Sequence, residues 1–279
     1  MRPSTRDEFK IAIICALLVE CDAVLASFDE TFDKIGPNLR DPSWRRQLLS
    51  HMPGMGKVSA TGVASNLCIS FPGIKLSLVV GICGAIILGD VVSDCIVEYD
   101  FGRQYPDGFR PKGNIQDLPI RPNRDIRAVI FSLKLRETRR ELEKGLSHNL
   151  RSLQAQSPTW QHPRTEHDVL FEASYHHRHY QNDTTCVCAD CPSSSDLVCE
   201  MALLKDFVHI GLVACGDTVM KPGEHRDRLA EAEGVIEFEM EGAGVCGILP
   251  CVIIKGVCDY ADNHKDTRWQ RRRTRRLNG

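Results

Sequence analysis

Phe238-Glu239-Met240-Glu241-Gly242 closes the strand-like stretch of Val235, Ile236 and Phe238 with two acids around a methionine. On an extended segment alternate side chains share a face, so Glu239 and Glu241 point one way and Met240 the other. A charged strand end with a solvated face would also explain two acids. The following residues weaken that reading: Gly242, Gly244 and the apolar Val245, Ile248 and Leu249 describe a packed strand-to-helix turn, where paired acids are costly without a purpose.

Working outward, Lys255-Gly256-Val257-Cys258-Asp259-Tyr260-Ala261-Asp262 closes another strongly apolar run, Cys251 to Ile254. An Asp at the end of a buried strand either caps the next helix or serves as an acid in the crevice beyond the sheet, and spacing leaves both open. Glu20 stands in the same relation to Ile11 to Cys15, where a surface helix charge is the plain alternative. Leu76 to Gly81 and Ile210 to Cys215 complete four runs with the composition of central strands. Helical patterns over Lys57 to Ile69, and over Asp125 to Leu153 after Pro122, lie between them. This alternation predicts an α/β sheet whose ligands gather beyond the carboxyl ends of its strands.

The chain of 279 residues is 42% hydrophobic and 26% charged, which suits one globular domain over 1–269 with an insertion. A formal net charge of -2 supplies no field for nucleic acid, so no specific nucleic-acid partner is expected. The exception is local: Arg268, Arg271, Arg272 and Arg273 begin a basic end whose last part, 270–279, reads as a solvated, disordered tail. Most of the 13 cysteines stand singly in apolar runs, among them Cys15, Cys83, Cys215, Cys251 and Cys258, as free thiols packing as small hydrophobes. That usage points to a reducing compartment, cytoplasmic or nuclear, and no apolar run approaches the length of a membrane span.

The segment 157–205 is rich in His, Cys, Ser and Pro and reads as the insertion. Its His176, His179, Cys186, Cys188 and Cys191 are the ligand types of a structural zinc site, though not at finger spacing, and a reduced loop explains them as well. No other cofactor is expected. Gly54-Met55-Gly56-Lys57 invites a phosphate-loop reading, but His51 stands where that motif needs glycine and Val58 where it needs Ser or Thr. A tight turn into a helix is the better reading, with amides available for a ligand contact.

Val80-Gly81-Ile82-Cys83-Gly84-Ala85, Leu88-Gly89-Asp90-Val91-Val92, Gly216-Asp217-Thr218-Val219-Met220, Phe238 to Ala243 and Gly256 to Asp262 together resemble the ordered motifs of the nucleoside phosphorylase and methylthioadenosine/S-adenosylhomocysteine nucleosidase superfamily. The likeness is strongest to the version at the front of fungal multidomain receptor-like proteins, especially in Tyr99-Asp100-Phe101-Gly102-Arg103-Gln104-Tyr105-Pro106-Asp107-Gly108. It implies a three-layer phosphorylase-type α/β fold with a central mixed sheet flanked by helices, and self-association into a homo-oligomer.

The resemblance also implies roles. Glu241 matches the acid that binds the ribose hydroxyls, with Met240 packing on the sugar and Glu239 supporting the loop; Asp259 matches the general acid that protonates the purine at N7. Glu20 falls where nucleosidases keep the carboxylate that orients water, Val219 and Met220 at the base-binding edge, and Gly84 in the turn beneath the sugar. Breaking an N-glycosidic bond builds positive charge on ribose and negative charge on the base, so carboxylates near the sugar and a proton donor near the base are what it needs.

Phosphorylases place an Arg near Val79 and a Ser at Ile82, neither substitute can hold phosphate, and Glu20 would repel it. Hydrolysis of a purine nucleoside or nucleotide is therefore preferred over phosphorolysis. Arg103, Arg110, Lys112 and Lys221 are cations able to hold a nucleotide's phosphates, or plain solvated charges. The short stretch between Gly84 and Leu88, Ile82 at the water site and the basic end where the family continues with a helix leave one further alternative, a truncated, non-catalytic nucleoside-sensing module.

Overall fold

A computed structural model describes residues 5–28, 47–87, 89–111, 120–156, 170–175 and 208–264. The zinc candidates His176, His179, Cys186, Cys188 and Cys191, together with Lys112 and the basic end, lie outside the described residues.

The elements run β1 (Ile11–Cys15), α1 (Leu18–Ala26), β2 (Gln47–His51), α2 (Lys57–Ser70), β3 (Leu76–Ala85), β4 (Asp90–Glu98), β5 (Gly102–Tyr105), β6 (Gly108–Pro111), α3 (Arg124–Leu133), α4 (Arg136–Gln156), β7 (Val208–Cys215), α5 (Gly223–Glu233), β8 (Val235–Glu239), α6 (Gly242–Cys246) and β9 (Cys251–Asp259). The four apolar runs become β1, β3, β7 and β9. The main sheet has the order β2-β1-β3-β8-β7-β4-β9, and β3 also pairs with β9, so β3, β8, β7, β4 and β9 form a closed ring. Parallel pairs dominate, while β3–β8 and β4–β9 are antiparallel, which makes the sheet mixed.

Alternation along β9 shows why helices cover both faces. Cys251 and Ile253 pack into a core with Ala60, Ala64 and Leu67 of α2 and Val245 of α6, whereas Val252 packs with Ile126 and Ile130 of α3 and Leu146 of α4. Odd and even residues of one strand thus meet different helical layers. The helical stretch expected over Asp125 to Leu153 is two helices, because the chain turns at Lys134 and Leu135, whose amides bond three residues back. Lys134 is held there by Asp94 at 2.7 Å, and α3 starts where Asn123 accepts the amide of Ile126.

The cysteine expectation needs one correction. Cys246, at the end of α6, pairs with Cys251, at the start of β9, as a disulfide across a five-residue separation, so Cys251 is not a free thiol. The tight return from helix to strand brings their Cα atoms to 5.3 Å, within bridging range. Cys15, Cys83, Cys215 and Cys258 are buried, unbridged thiols, as expected.

Candidate active site

Beyond the ends of β3, β8 and β9 lies an open cleft with a cavity volume of about 120 Å³. Glu20, Glu241 and Asp259 all line it, although they come from the first, eighth and ninth strands' connections. Gly84, Val219, Met220, Glu239 and Met240 line it too. Arg103 does not: it sits exposed on the β5–β6 hairpin, opposite Arg110.

Glu20 is held by backbone alone. Its Oε2 accepts the amides of Ala16 and Leu17, both at 2.8 Å, and Oε1 accepts that of Ile82 at 2.9 Å. The carboxylate therefore joins the turn after β1 to the middle of β3. This close approach requires glycine at 81, where a Cβ would lie 2.3 Å from Oε1. Burial pushes Glu20 above the ordinary carboxylate value, although Lys255 and the amide donors pull against it.

Strand β8 ends at Glu239, whose side chain folds back to accept the amides of Glu241 and Gly242 at 2.9 Å. The two acids do converge, but through this capped turn and not through continued strand alternation, because Glu241 already has helical backbone angles. Between them stands Lys255, only 1% exposed, its Nζ at 2.9 Å from Glu241 and 3.6 Å from Glu239. Burial works to raise Glu241, yet the Lys255 ammonium outweighs it and holds this carboxyl below its ordinary range. Glu239 goes the other way, raised by burial that the more distant ammonium does not offset. For Lys255 itself burial opposes the charge, but Glu241, Glu239 and Glu20 hold it protonated. One site thus contains a firmly ionised acid and two whose proton affinity is increased.

Asp259 is half-buried at the end of β9, where Oδ1 accepts the amide of Ala261 at 2.8 Å and the Cys258 thiol lies 3.4 Å from Oδ2. Gly84 passes directly beneath it, since a Cβ there would come within 2.5 Å of Oδ1. On the far wall Tyr99 donates its hydroxyl to the carbonyl of Thr218 at 2.6 Å and meets Phe238 edge-on. The lining among the described residues contains four carboxylates and no Lys, Arg or His.

No family model matches the sequence. Helicobacter pylori futalosine hydrolase matches with a TM-score of 0.56 at 17% identity, over 96% of this chain and 94% of its own. A 5′-methylthioadenosine/S-adenosylhomocysteine nucleosidase from S. pneumoniae, solved with a transition-state inhibitor, matches with a TM-score of 0.57 at 16% identity over the same shares, 96% and 94%. The fold is that of the nucleosidases. In sequence, the chain is 28% identical to a nucleotide-binding leucine-rich repeat (NLR)-like protein of the fungus Hyaloscypha variabilis, over 96% of this chain. It spans 28% of that protein's length.

Within this nucleosidase fold, sequence reasoning identified the acids but not their organiser. Lys255 was legible as one charge inside the apolar run that became β9, which a buried strand tolerates only if the charge is paired. Ile82, expected at the water site, lines the cleft, and so do Cys83, Tyr99 and Met55, whose types did not announce it. The amide of Lys57, open to a ligand on the sequence, is instead taken by Asp217 Oδ1 at 2.7 Å.

Proposed function

We propose that this protein hydrolyses the N-glycosidic bond of a purine nucleoside or nucleotide and releases the base. The observation that carries the reading is that Glu20, Glu241 and Asp259 meet in one cleft of a nucleosidase fold, beside no described cation that would bind phosphate.

Glu241, kept ionised by Lys255, accepts the sugar hydroxyls and stabilises the cationic ribose as the bond lengthens. Asp259 gives its proton to the purine, which takes the electron pair of the breaking bond. Glu20 has three of roughly four acceptor positions filled by amides, leaving one for a water. That water forms the new bond to the anomeric carbon and passes its proton to Glu20, whose raised proton affinity suits a general base. Exchange with solvent returns one proton to Asp259 and removes one from Glu20, which closes the cycle. Val219 and Met220 form the edge against which the base lies.

Cytoplasmic or nuclear location and self-association belong to the same reading; no helix among the described residues is long and apolar enough to cross a membrane. The test is chromatography of released base from adenosine, inosine, AMP and ATP, with and without phosphate. Release should not depend on phosphate, and Asp259→Asn should lower it by about 10²- to 10⁴-fold. Phosphate-dependent release would establish phosphorolysis instead, activity surviving Asp259→Asn would remove the assigned acid, and binding without release would leave a sensing module.

A further inference from the structure

The glycine turn that fails as a phosphate loop does something else. Lys57, the first residue of α2, extends its ammonium to Glu98 Oε1 at 3.0 Å and Asp100 Oδ1 at 2.7 Å, both at the end of β4. Its backbone amide donates to Asp217 Oδ1 at 2.7 Å, and the amide of Asp217 donates to Asp100 Oδ2, also at 2.7 Å. These bonds close a circuit through three segments that are far apart in sequence. Gly56 permits it twice over: its φ of 101° is the left-handed region, and a Cβ there would lie 2.9 Å from Asp217 Oδ1.

Each segment carries a piece of the cleft wall. Met55 lies two residues before Lys57, Tyr99 lies between Glu98 and Asp100, and Thr218, Val219 and Met220 follow Asp217 directly. Residues 216–222 have no helix or strand of their own, so their conformation must be imposed from outside. The Lys57 side chain is 18% exposed, which shields its two ammonium bonds from solvent better than an open surface pair.

We infer that Lys57 is a positioning residue, a latch that fixes the 216–220 loop and Tyr99 as the base-binding wall of the cleft. It touches no reacting atom; it sets how well the base is held. The inference rests on the proposed nucleosidase reading for its catalytic consequence, but its structural half stands alone.

The experiment therefore has two readouts on the full chain. Amide hydrogen exchange at residues 216–220 should quicken at least about tenfold in Lys57→Met and stay near wild type in Lys57→Arg, which keeps a cation between the two carboxylates. With a nucleoside that wild type cleaves, KM should rise about tenfold in Lys57→Met while kcat changes less than about threefold, and Lys57→Arg should restore most of the loss. Should Lys57→Met fail to fold, Asp100→Asn gives the same readouts with a smaller change of shape. Unchanged exchange overturns the latch. Quickened exchange with unchanged KM, or a loss confined to kcat, overturns its role in holding the base. If wild type cleaves nothing, the exchange result still decides the latch while the nucleosidase reading alone fails.

Discussion

Replacing Lys255 by methionine keeps most of the side chain's volume but strands Glu241 without its cation in a site where both residues are almost fully covered. Breaking a buried ion pair by removing one partner costs about 3–5 kcal/mol, because the remaining charge is left uncompensated. With an m-value of about 3 kcal/mol/M in urea, that lowers the unfolding midpoint by roughly 1 to 1.7 M. The loss should also depend on pH, with a sign that the pairing dictates. In wild type Glu241 is depressed, so its stabilisation is present above the unfolded carboxylate value and disappears as pH falls through the folded one. In Lys255→Met only the amides of Gly56 and Met240 are left to oppose burial, Glu241 moves upward, and the variant loses stability as pH rises above the unfolded carboxylate value. The difference between the two proteins should become small only below the depressed Glu241 value, under about pH 4, and be full by about pH 7. Urea titrations at several pH values, followed by far-UV circular dichroism, measure it. A loss below about 1 kcal/mol, or one equal at every pH, would refute the claim that this ammonium holds the acid ionised.

Glu237, wholly buried beside the Cys83 thiol at 3.0 Å, is pushed up to about 8 by burial. Its folded form therefore favours the proton, and native stability declines as pH rises from the unfolded carboxylate value toward 8, by roughly 3 kcal/mol at pH 7. Glu237→Gln should remove that decline and match wild type at and below about pH 4.5, as thermal melts across pH would reveal. Gly81→Ala forces a methyl to 2.3 Å from Glu20 Oε1 and should cost about 1–3 kcal/mol while slowing base release. Gly62→Ala, in the middle of α2 with nothing within 4 Å, should instead stabilise by about 0.5–1 kcal/mol, and equal melting shifts for the two would contradict the packing described.

The strands read in the sequence are those with dense apolar runs, β1, β3, β7 and β9, together with the strand-like Val235 to Phe238 of β8. Strand β4 was not, because Asp90, Ser93 and Asp94 break its pattern. Ser93 is nevertheless buried there and accepts the amide of Ile253 at 2.9 Å, a compensation visible only once β4 and β9 are adjacent. The acids were legible because each follows a strand end, where crevices form in α/β sheets. Their partners were not. The Lys57 to Asp217 bond spans 160 positions and the Asp217 to Asp100 bond 117, and no local pattern encodes such contacts. Arg103, a motif residue next to site segments, lies exposed on the β5–β6 hairpin outside the lining of the cleft.

A sheet whose five strands join into a hoop has no terminal member within that hoop from which to unzip. Each of β8, β7, β4 and β9 has a paired strand on either side, whereas β2 is bonded to β1 alone. Fraying must start at β2 and pass through β1 before it reaches β3. The acids at the ends of β8 and β9 are thus mounted on the portion of the protein that yields last, while Glu20, in the first turn of α1, is anchored to that portion by its single bond to Ile82.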